Sequence, residues 1–208
     1  MHHPLIESAS RTGRHDFDAL PRNAEVDVRP ANRSDLTMLA EMANRLVPGV
    51  QIGEPELQRY SAFDPESILT FSRKGNLLGA VAFLYLNDRG HDALIFDEMS
   101  LTHPEMGLLA DGADEVSAIY VWAIAGLGRA MAGLGNVSQH LCGPRYAAAD
   151  LFAHPATKAG RDLMVALGFD SIPSFQPDLW CYQRPWNRMP QHLPDSRFST
   201  RSHSDARH

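Results

Sequence analysis

The chain has 208 residues, 44% of them hydrophobic, and a formal net charge of −6, which together suit a single domain with a substantial core. Its two lysines, Lys74 and Lys158, and its scattered arginines form no basic cluster, so nucleic-acid binding is not expected. The longest apolar runs are far shorter than the roughly 20 residues of a membrane span, and the N-terminus lacks the apolar centre of a secretory signal. We therefore expect a cytoplasmic protein that does not bind membranes.

Both ends of the chain differ in composition from its middle. Residues 1–24 and 187–208 are rich in His, Ser, Arg and Pro and hold few apolar side chains. Such segments bury too little apolar surface to offset the entropy lost on ordering, so both are predicted to be disordered tails. Their histidines are irregularly spaced, and no metal site is expected from them. The folded domain is therefore predicted to span residues 25–186.

The first half of this domain combines a short strand, helices and a hairpin. Ser34 is predicted to cap a helix, because apolar residues recur at helical spacing from Leu36 to Leu46. Lys74-Gly75-Asn76 supplies turn chemistry between two apolar, β-rich runs, which predicts an antiparallel hairpin. The predicted elements in chain order are a strand at 26–29, helices at 34–46 and 55–60, and strands at 67–72 and 77–86.

The second half is predicted to alternate strands with helices. Val116–Ala125 has the length and composition of a buried strand, and it runs directly into a glycine-rich turn and a helix that continues to about Leu141. Thr157 is predicted to cap a later helix that ends at Gly168. The remaining predictions are a turn at 87–92, an extended piece at 93–101, an irregular insertion at 104–114 and strands at 146–153, 170–174 and 179–183. This order predicts a mixed sheet with helices on both faces, in the α/β or α+β class.

The turn that begins at Gly126 has the composition of an anion-binding site. Glycines allow the backbone to approach a phosphate closely, and the free N–H groups of the first helical turn point towards it. The helix dipole adds roughly half a positive charge there. The donors would be the amides of Gly126–Ala130, with Arg129 as a charge partner. The alternative interpretation is that Gly126 and Gly128 only permit close contact between strand and helix.

This region resembles the GNAT N-acetyltransferase superfamily in two motifs. The Gln/Arg-x-x-Gly-x-Gly/Ala motif of that family aligns with Ala123–Gly128, where both glycines match and Ala123 replaces the leading Gln or Arg. The later Asn-x-x-Ala-x-x-Leu-Tyr-x-x-x-Gly-Phe pattern aligns with Thr157–Phe169, where the Leu, Gly and Phe match in register and Met164 replaces the tyrosine. The resemblance covers about residues 26–185.

The resemblance implies an acyl-CoA-dependent N-acyltransferase with a GNAT-like fold, whose central and mostly antiparallel sheet is flanked by helices. Acetyl-CoA, or another acyl-CoA, would be the co-substrate, without a metal, and its pantetheine arm would enter a V-shaped opening between two central strands. An amine on a small molecule or peptide would attack the thioester directly, and a homodimer is left open. The implied cofactor-binding residues are Tyr120, Val121, Trp122 and Ala123 on the strand and Gly126, Leu127, Gly128, Arg129 and Ala130 at the turn.

The catalytic acid and base are chosen from residues outside these motifs. Met164 cannot donate a proton, so the acid is predicted to be Tyr146, with Tyr182 as the alternative. The candidates for the base are Asp97, Glu98 and Glu115, carboxylates that adjoin the predicted acceptor side, and Glu98 is the one predicted. Acidic residues in the loops at 45–63 and 87–115 would suit a cationic amine as the acceptor.

Two other classes of function are compatible with parts of the sequence. The departures at Ala123 and Met164 also fit a catalytically degenerate GNAT-like domain that acts as an acyl-CoA sensor or a protein-interaction module. A Rossmann nucleotide-binding unit fits less well, because Met131 occupies the position of the third glycine. A serine hydrolase has no support, since the chain lacks a Gly-x-Ser-x-Gly elbow.

Overall fold

The computed structural model describes residues 16–47, 49, 51–112, 114–126, 130–185 and 187. Its strands are β1 (Asp27–Pro30), β2 (Ile68–Arg73), β3 (Asn76–Leu86), β4 (Ala118–Gly126), β5 (Asp150–Ala153), β6 (Asp170–Ser171) and β7 (Trp180–Tyr182). Its α-helices are α1 (Leu36–Leu46), α2 (Glu54–Phe63), α3 (Asp88–Ile95), α4 (Leu134–Leu141) and α5 (Lys158–Ala166). Short 3-10 helices lie at Phe17–Ala19, Arg33–Asp35, Pro65–Ser67, Met106–Leu108 and Ala130–Gly133.

The seven described strands form one sheet in the order β1-β2-β3-β4-β5-β7-β6. All neighbours pair antiparallel except β4 and β5, which are parallel. This confirms the predicted class, a mixed and mostly antiparallel sheet flanked by helices. Each helix in the described part of the chain is too short or too polar to span a bilayer.

Helices cover both faces of the sheet, and the central strand β3 contributes to both cores. Val81 and Phe83 pack with Val137 of α4 in the core on one face. Ala82 points the other way and packs with Leu39 of α1. A strand that is buried on both faces needs apolar residues at nearly every position. This explains the continuous apolar run that predicted β3.

Local turn and cap chemistry places two elements where the sequence predicted them. Lys74 and Gly75 join β2 to β3 with φ angles of 51° and 79°, the pair of positive φ values that a two-residue hairpin requires. The Thr157 hydroxyl accepts a hydrogen bond from the amide of Gly160 at 2.9 Å and so caps α5. Gly168 follows that helix with a φ of 87°, as expected for a C-terminal glycine.

The segment that was expected to be a turn and an extended piece, at 87–101, instead contains helix α3. Asn87 caps this helix by accepting a hydrogen bond from the amide of Gly90 at 3.0 Å. Ala93 and Leu94 then bury their side chains against the sheet. The helix approaches the neighbouring chain so closely that a Cβ on Gly90 would lie 2.1 Å from the carbonyl oxygen of Leu108. A tertiary contact therefore selects the helix over the turn that the Asn, Asp and Gly residues suggested.

Three further boundaries differ from those predicted. Ser34 lies inside a 3-10 turn whose N-cap is Asn32, so it does not cap α1. The strand expected at 146–153 is only β5, because Tyr146 belongs to a turn in which its amide donates to the carbonyl of Gly143 at 2.9 Å. The helix after β4 begins with 3-10 geometry at Ala130 and becomes α-helical at Leu134.

Residues 16–24, expected to belong to a disordered tail, pack against the domain. Phe17 is only 4% exposed and lies in the core beneath α4. The hydroxyl of Ser138 donates a hydrogen bond to the carbonyl oxygen of Phe17 at 2.6 Å. The side chain of Arg184 forms an ion pair with Asp18. Residues 1–15 and 188–208 lie outside the described part, so the predicted tails stay predictions there.

Candidate functional site

The parallel strands β4 and β5 separate partway along their length. Their ladder runs from Ala118 opposite Asp150 to Val121 opposite Ala153. Strand β5 ends at Ala153, whereas β4 continues to Gly126 with β3 as its partner. Among the residues that the structure describes, no strand pairs with the β5-side edge of β4 from Trp122 onwards.

A β-bulge lies at the point of separation. In the ladder between β3 and β4, Ala82 is opposite Ala123 and Phe83 is opposite Val121, so Trp122 has no partner. Trp122 and the next residue, Ala123, consequently pack against the same core, the one beside α1. Bulges bend a strand and interrupt its pairing, and they are frequent beside active sites. Here the bulge coincides with the end of the β4–β5 ladder.

The opening leads into a groove on the side of α5. This groove has a volume of about 520 Å³ and is bounded by the open edge of β4 and by the chain that leaves β5. The side of α5 supplies its remaining wall, including Ala159, Leu163 and Met164. Its lining among the described residues is largely apolar, with backbone exposed along β4. Such a groove can take an extended chain, but no charged side chain from its described walls would hold it.

A second cavity lies on the opposite face of the sheet, beside α1 and α2. Its volume is about 310 Å³, and its lining includes Leu39, Ala43 and Leu57 from the helices. Six residues line both this cavity and the groove: Val47, Trp122, Ala123, Ala125, His154 and Ala156. The two spaces therefore meet at the gap between β4 and β5.

The residues predicted to bind the cofactor divide into three groups. Tyr120 and Val121 lie opposite Phe152 and Ala153 in the ladder, so β5 already faces their backbone, although Tyr120 lines the second cavity and Val121 lines the groove. Trp122, Ala123 and Gly126 border the groove, and Ala130 begins the 3-10 turn that follows it. Leu127, Gly128 and Arg129 lie outside the described residues. The predicted pyrophosphate-binding turn is thus described only at its two ends.

Gly126 has a packing role that does not depend on any ligand. A Cβ at this position would lie 2.6 Å from the Cβ of Ala130. The close approach of strand and following turn therefore requires glycine here. This matches the alternative interpretation from the sequence for Gly126, and it is compatible with phosphate binding at the same turn.

The two predicted catalytic residues do not line either cavity in the described part of the chain. Glu98 is exposed beyond the end of α3, and its amide donates to the carbonyl of Ala93 at 2.8 Å. Tyr146 is 3% exposed in the turn before β5. The structure therefore brings neither residue to the gap between β4 and β5, and it does not bring them together.

Tyr146 belongs to a polar cluster near the opposite end of β4. Its hydroxyl donates to a carboxylate oxygen of Glu66 and accepts from Arg145 Nη1 at 2.9 Å. Burial, followed by the hydrogen bond to Glu66, raises the pKa of Tyr146 above its ordinary value. Its ring lies 4.8 Å from that of Tyr85, which is opposite Ile119 near the start of β4. These contacts suit a residue that fastens the turn before β5.

The alternative candidates also lie elsewhere. Asp97 is exposed with a φ of 59°, and Glu115 is exposed in the loop before β4. Tyr182 is fully buried, and its hydroxyl donates to Asp16. Burial, followed by that hydrogen bond, raises the pKa of Tyr182 above its ordinary value. No group of three or more His, Cys, Asp or Glu side chains suited to a metal occurs among residues the structure describes.

His154 is the residue that reasoning from the sequence missed. It follows β5 directly, is exposed, and is the titratable side chain among the six residues that line both cavities. No metal-ligand motif such as His-Glu-x-x-His surrounds it in the sequence, so its spacing alone does not single it out. The signal that was available is its place immediately after a predicted central strand, where functional residues of sheet proteins tend to lie.

No family model matches the chain, and no curated protein matches it. Among solved structures, Arabidopsis thaliana NAA60 in complex with acetyl-CoA aligns with a TM-score of 0.50 and 15% identity, over 76% of this chain and 99% of that one. Ard1 from Thermoplasma volcanium aligns with a TM-score of 0.47 and 12% identity, over 76% and 95%. The GphF GNAT-like decarboxylase in complex with isobutyryl-CoA gives 0.44 and 16%, over 61% of this chain and 64% of that one.

The fold is therefore that of the GNAT proteins: a mostly antiparallel sheet in which one parallel central pair separates beside a groove. The chain departs at two positions from the sequence motifs that it resembles. Ala123 and Met164 occupy positions where the motifs have Gln or Arg and Tyr, and both residues line the groove.

Proposed function

We propose that the protein is an acyl-CoA-dependent N-acyltransferase of the cytoplasm, which transfers an acyl group to an amine of a small molecule or peptide. The observation that carries the proposal is the separation of β4 and β5 beyond Val121 and Ala153, at a bulge and between two cavities. An extended pantetheine arm can lie along the open edge at Trp122–Gly126 and form backbone hydrogen bonds as an added strand does. The pyrophosphate is assigned to the turn at Gly126–Ala130, as the sequence predicts.

The bulge supplies a candidate for stabilising the reaction's charged intermediate. Attack on a thioester places negative charge on the carbonyl oxygen, which needs a nearby N–H donor. Trp122 has no partner in the β3 ladder, and β5 has ended beside it. We assign the donor to the backbone amide of Trp122, since this residue borders both cavities and has no partner in either ladder.

We assign the base to His154 in place of Glu98, because His154 lines the space where the amine and the thioester would meet. The amine nitrogen forms a bond to the carbonyl carbon and gives one proton to the imidazole. The C–S bond then breaks, and the CoA thiolate leaves and takes up a proton, for which the imidazolium is a source. Tyr146 is not needed as an acid in this scheme.

A second candidate function is an acyl-CoA sensor without catalysis. Met164 is 5% exposed and lines the groove, so an apolar thioether stands where the family motif has a proton donor. A protein that only binds acyl-CoA would keep the groove and have no need of that donor. Both functions require binding of acyl-CoA, but only the enzyme would transfer the acyl group to an amine.

The test is calorimetric titration with acetyl-CoA, followed by an assay of thiol release with a panel of primary amines. Ala159→Trp, at an exposed position of α5 that lines the groove, should weaken binding at least tenfold by filling the groove. Val165→Trp is the matched control, because Val165 is exposed on the same helix and outside the described lining of the groove. Binding with turnover supports the enzyme, and binding without turnover for any amine supports the sensor. No binding to the wild-type protein would remove both.

A further inference from the structure

The cavity beside α1 and α2 is lined largely by apolar side chains, with Tyr120 as a buried phenol in its lining. Its deep walls are buried aliphatic side chains from α1, α2, β2 and β3, namely Leu39, Ala43, Leu57, Ile68, Ala80 and Ala82. The alternation of β3 turns two alanines towards this space, and their small side chains leave room that a larger residue would fill. The volume of about 310 Å³ could hold on the order of ten water-sized groups.

The described lining of this cavity contains no Asp, Glu, Lys or Arg side chain. The polar side chains at its exposed margin are Gln51, Thr102 and His154. An ammonium group placed inside would lose its hydration without gaining a carboxylate, which is costly. The loops at 45–63 and 87–115 do border this space, for example with Val47, Gln51 and Thr102, but none of the acidic side chains that suggested a cationic acceptor belongs to its described lining.

Neighbouring contacts hold one wall of the cavity in place. The indole N–H of Trp122 donates to the carbonyl of Leu101 at 2.6 Å. Its ring packs edge-on against Tyr60, with 5.0 Å between the ring centres. The hydroxyl of Tyr60 in turn donates to the carbonyl of Pro104 at 3.3 Å. The loop after α3 is thus fastened beside the bulge, so the cavity exists before a ligand binds.

We propose that this cavity receives the acyl chain of the co-substrate and that the preferred acyl group is longer than acetyl, in the range of four to about eight carbons. The inference rests on the proposed function, because it takes the thioester to lie at Trp122 with the CoA arm in the groove. A chain attached to the carbonyl there points through the gap into the second cavity, where both Trp122 and Ala123 form the threshold. An alkyl chain has no charge to desolvate, whereas a cationic amine does. The amine would then enter past the polar margin near His154.

The experiment is a calorimetric series with acetyl-, butyryl-, hexanoyl- and octanoyl-CoA on the full chain. Affinity should rise about fourfold for each methylene added up to hexanoyl, the change expected for burying one methylene group. If acetyl-CoA binds and the affinity changes less than twofold from acetyl- to octanoyl-CoA, this inference is overturned. The proposed function would still stand. Failure of every acyl-CoA to bind would remove the proposed function itself.

Two variants locate the effect. Ala82→Phe fills the floor of the cavity, and Thr102→Phe obstructs its exposed margin without a change in the core. Either should bring the ratio of hexanoyl-CoA to acetyl-CoA affinity close to one, whereas Ala62→Phe, on the exposed side of α2, should retain the wild-type ratio. A wild-type ratio in folded Thr102→Phe and Ala82→Phe would overturn the proposal. The proposal would also be overturned if affinity did not depend on acyl length and hexylamine bound in the presence of CoA but not to Thr102→Phe. The cavity would then bind the acceptor amine.

Discussion

Gly79 of β3 and Gly126 of β4 lie opposite each other beside the groove, and β4 approaches so closely that Gly79 has no room for a side chain. A Cβ on Gly79 would lie 2.3 Å from the carbonyl oxygen of Ala125 and 2.6 Å from the Cα of Gly126. Because backbone atoms make these contacts, the sheet itself must move to accept a larger residue. The end of β4 that borders the groove is therefore positioned by its close contact with Gly79.

Gly79→Ala is expected to lower the free energy of unfolding by about 2 kcal/mol, since overpacking of this size forces a backbone shift. The same shift should weaken acetyl-CoA binding, because it displaces the end of β4. Denaturant unfolding and calorimetry measure the two effects. Gly107→Ala is the control, as a Cβ there would meet nothing within 4 Å. Equal stability of the two variants would contradict the close approach described here.

His154→Ala is expected to lower the turnover number about 100-fold once an amine substrate is known, the usual contribution of a positioned general base. A small added base such as imidazole should restore part of the rate, which a purely structural role would not predict. His103→Gln provides the comparison, because His103 is 75% exposed at its side chain and outside both described cavity linings. Unchanged turnover in His154→Ala would overturn the assignment of the base to His154.

Arg184→Met is expected to lower the free energy of unfolding by about 3 kcal/mol, because it leaves a partly buried carboxylate and carbonyl groups without their donor. Arg184 is 1% exposed, pairs with Asp18, and donates to the carbonyls of Ala149 and Leu141 at 3.0 and 2.8 Å. Chemical denaturation at neutral pH measures the change.

The matched control for that variant is Arg73→Met. Arg73 pairs with Glu25, and their side chains are 36% and 65% exposed, so its loss should cost less than about 1 kcal/mol. Equal losses in the two arginine variants would show that the N-terminal segment is not fastened to the domain by Arg184.

Asp35 should stabilise the protein in a pH-dependent way. The guanidinium of Arg29, at 2.8 Å, lowers the pKa of the Asp35 carboxyl, and the amide of Asn32 adds to the effect. A carboxyl whose folded pKa is lowered contributes above its unfolded pKa, about 4, and loses that contribution as pH falls through the folded value. Asp35→Asn should therefore be about 1 kcal/mol less stable than wild type at pH 7, and this difference should shrink as the pH falls below about 4.

Unfolding curves of wild type and Asp35→Asn at several pH values between 2 and 7 would measure this difference. Asp92→Asn, at an exposed position of α3, serves as the reference for loss of one carboxylate. A difference for Asp35→Asn that does not shrink on acidification would contradict the role assigned to its charge.

The sequence predicts those elements whose conformation is determined by residues close together along the chain. The β2–β3 hairpin follows from two apolar runs and a turn that accepts positive φ at Lys74 and Gly75. The cap of α5 at Thr157 likewise depends on a hydrogen bond within one helical turn. Helix α3 could not be predicted, because its Asn, Asp and Gly residues favour a turn until Gly90 packs against Leu108. Its conformation is decided by a contact between segments that are distant along the chain.

The sequence by itself determined the class of fold and the strand that borders the site, because hydrophobic periodicity, turn residues and caps act over a few neighbouring positions. Only the tertiary structure decided where β4 and β5 separate, that Trp122 forms a bulge there, and that His154 stands at the junction of two cavities. These features depend on how residues from separate strands are brought into register, and register is set by the assembled core. For the same reason Tyr146, a plausible acid from its position in the chain, lies in a polar cluster away from the gap.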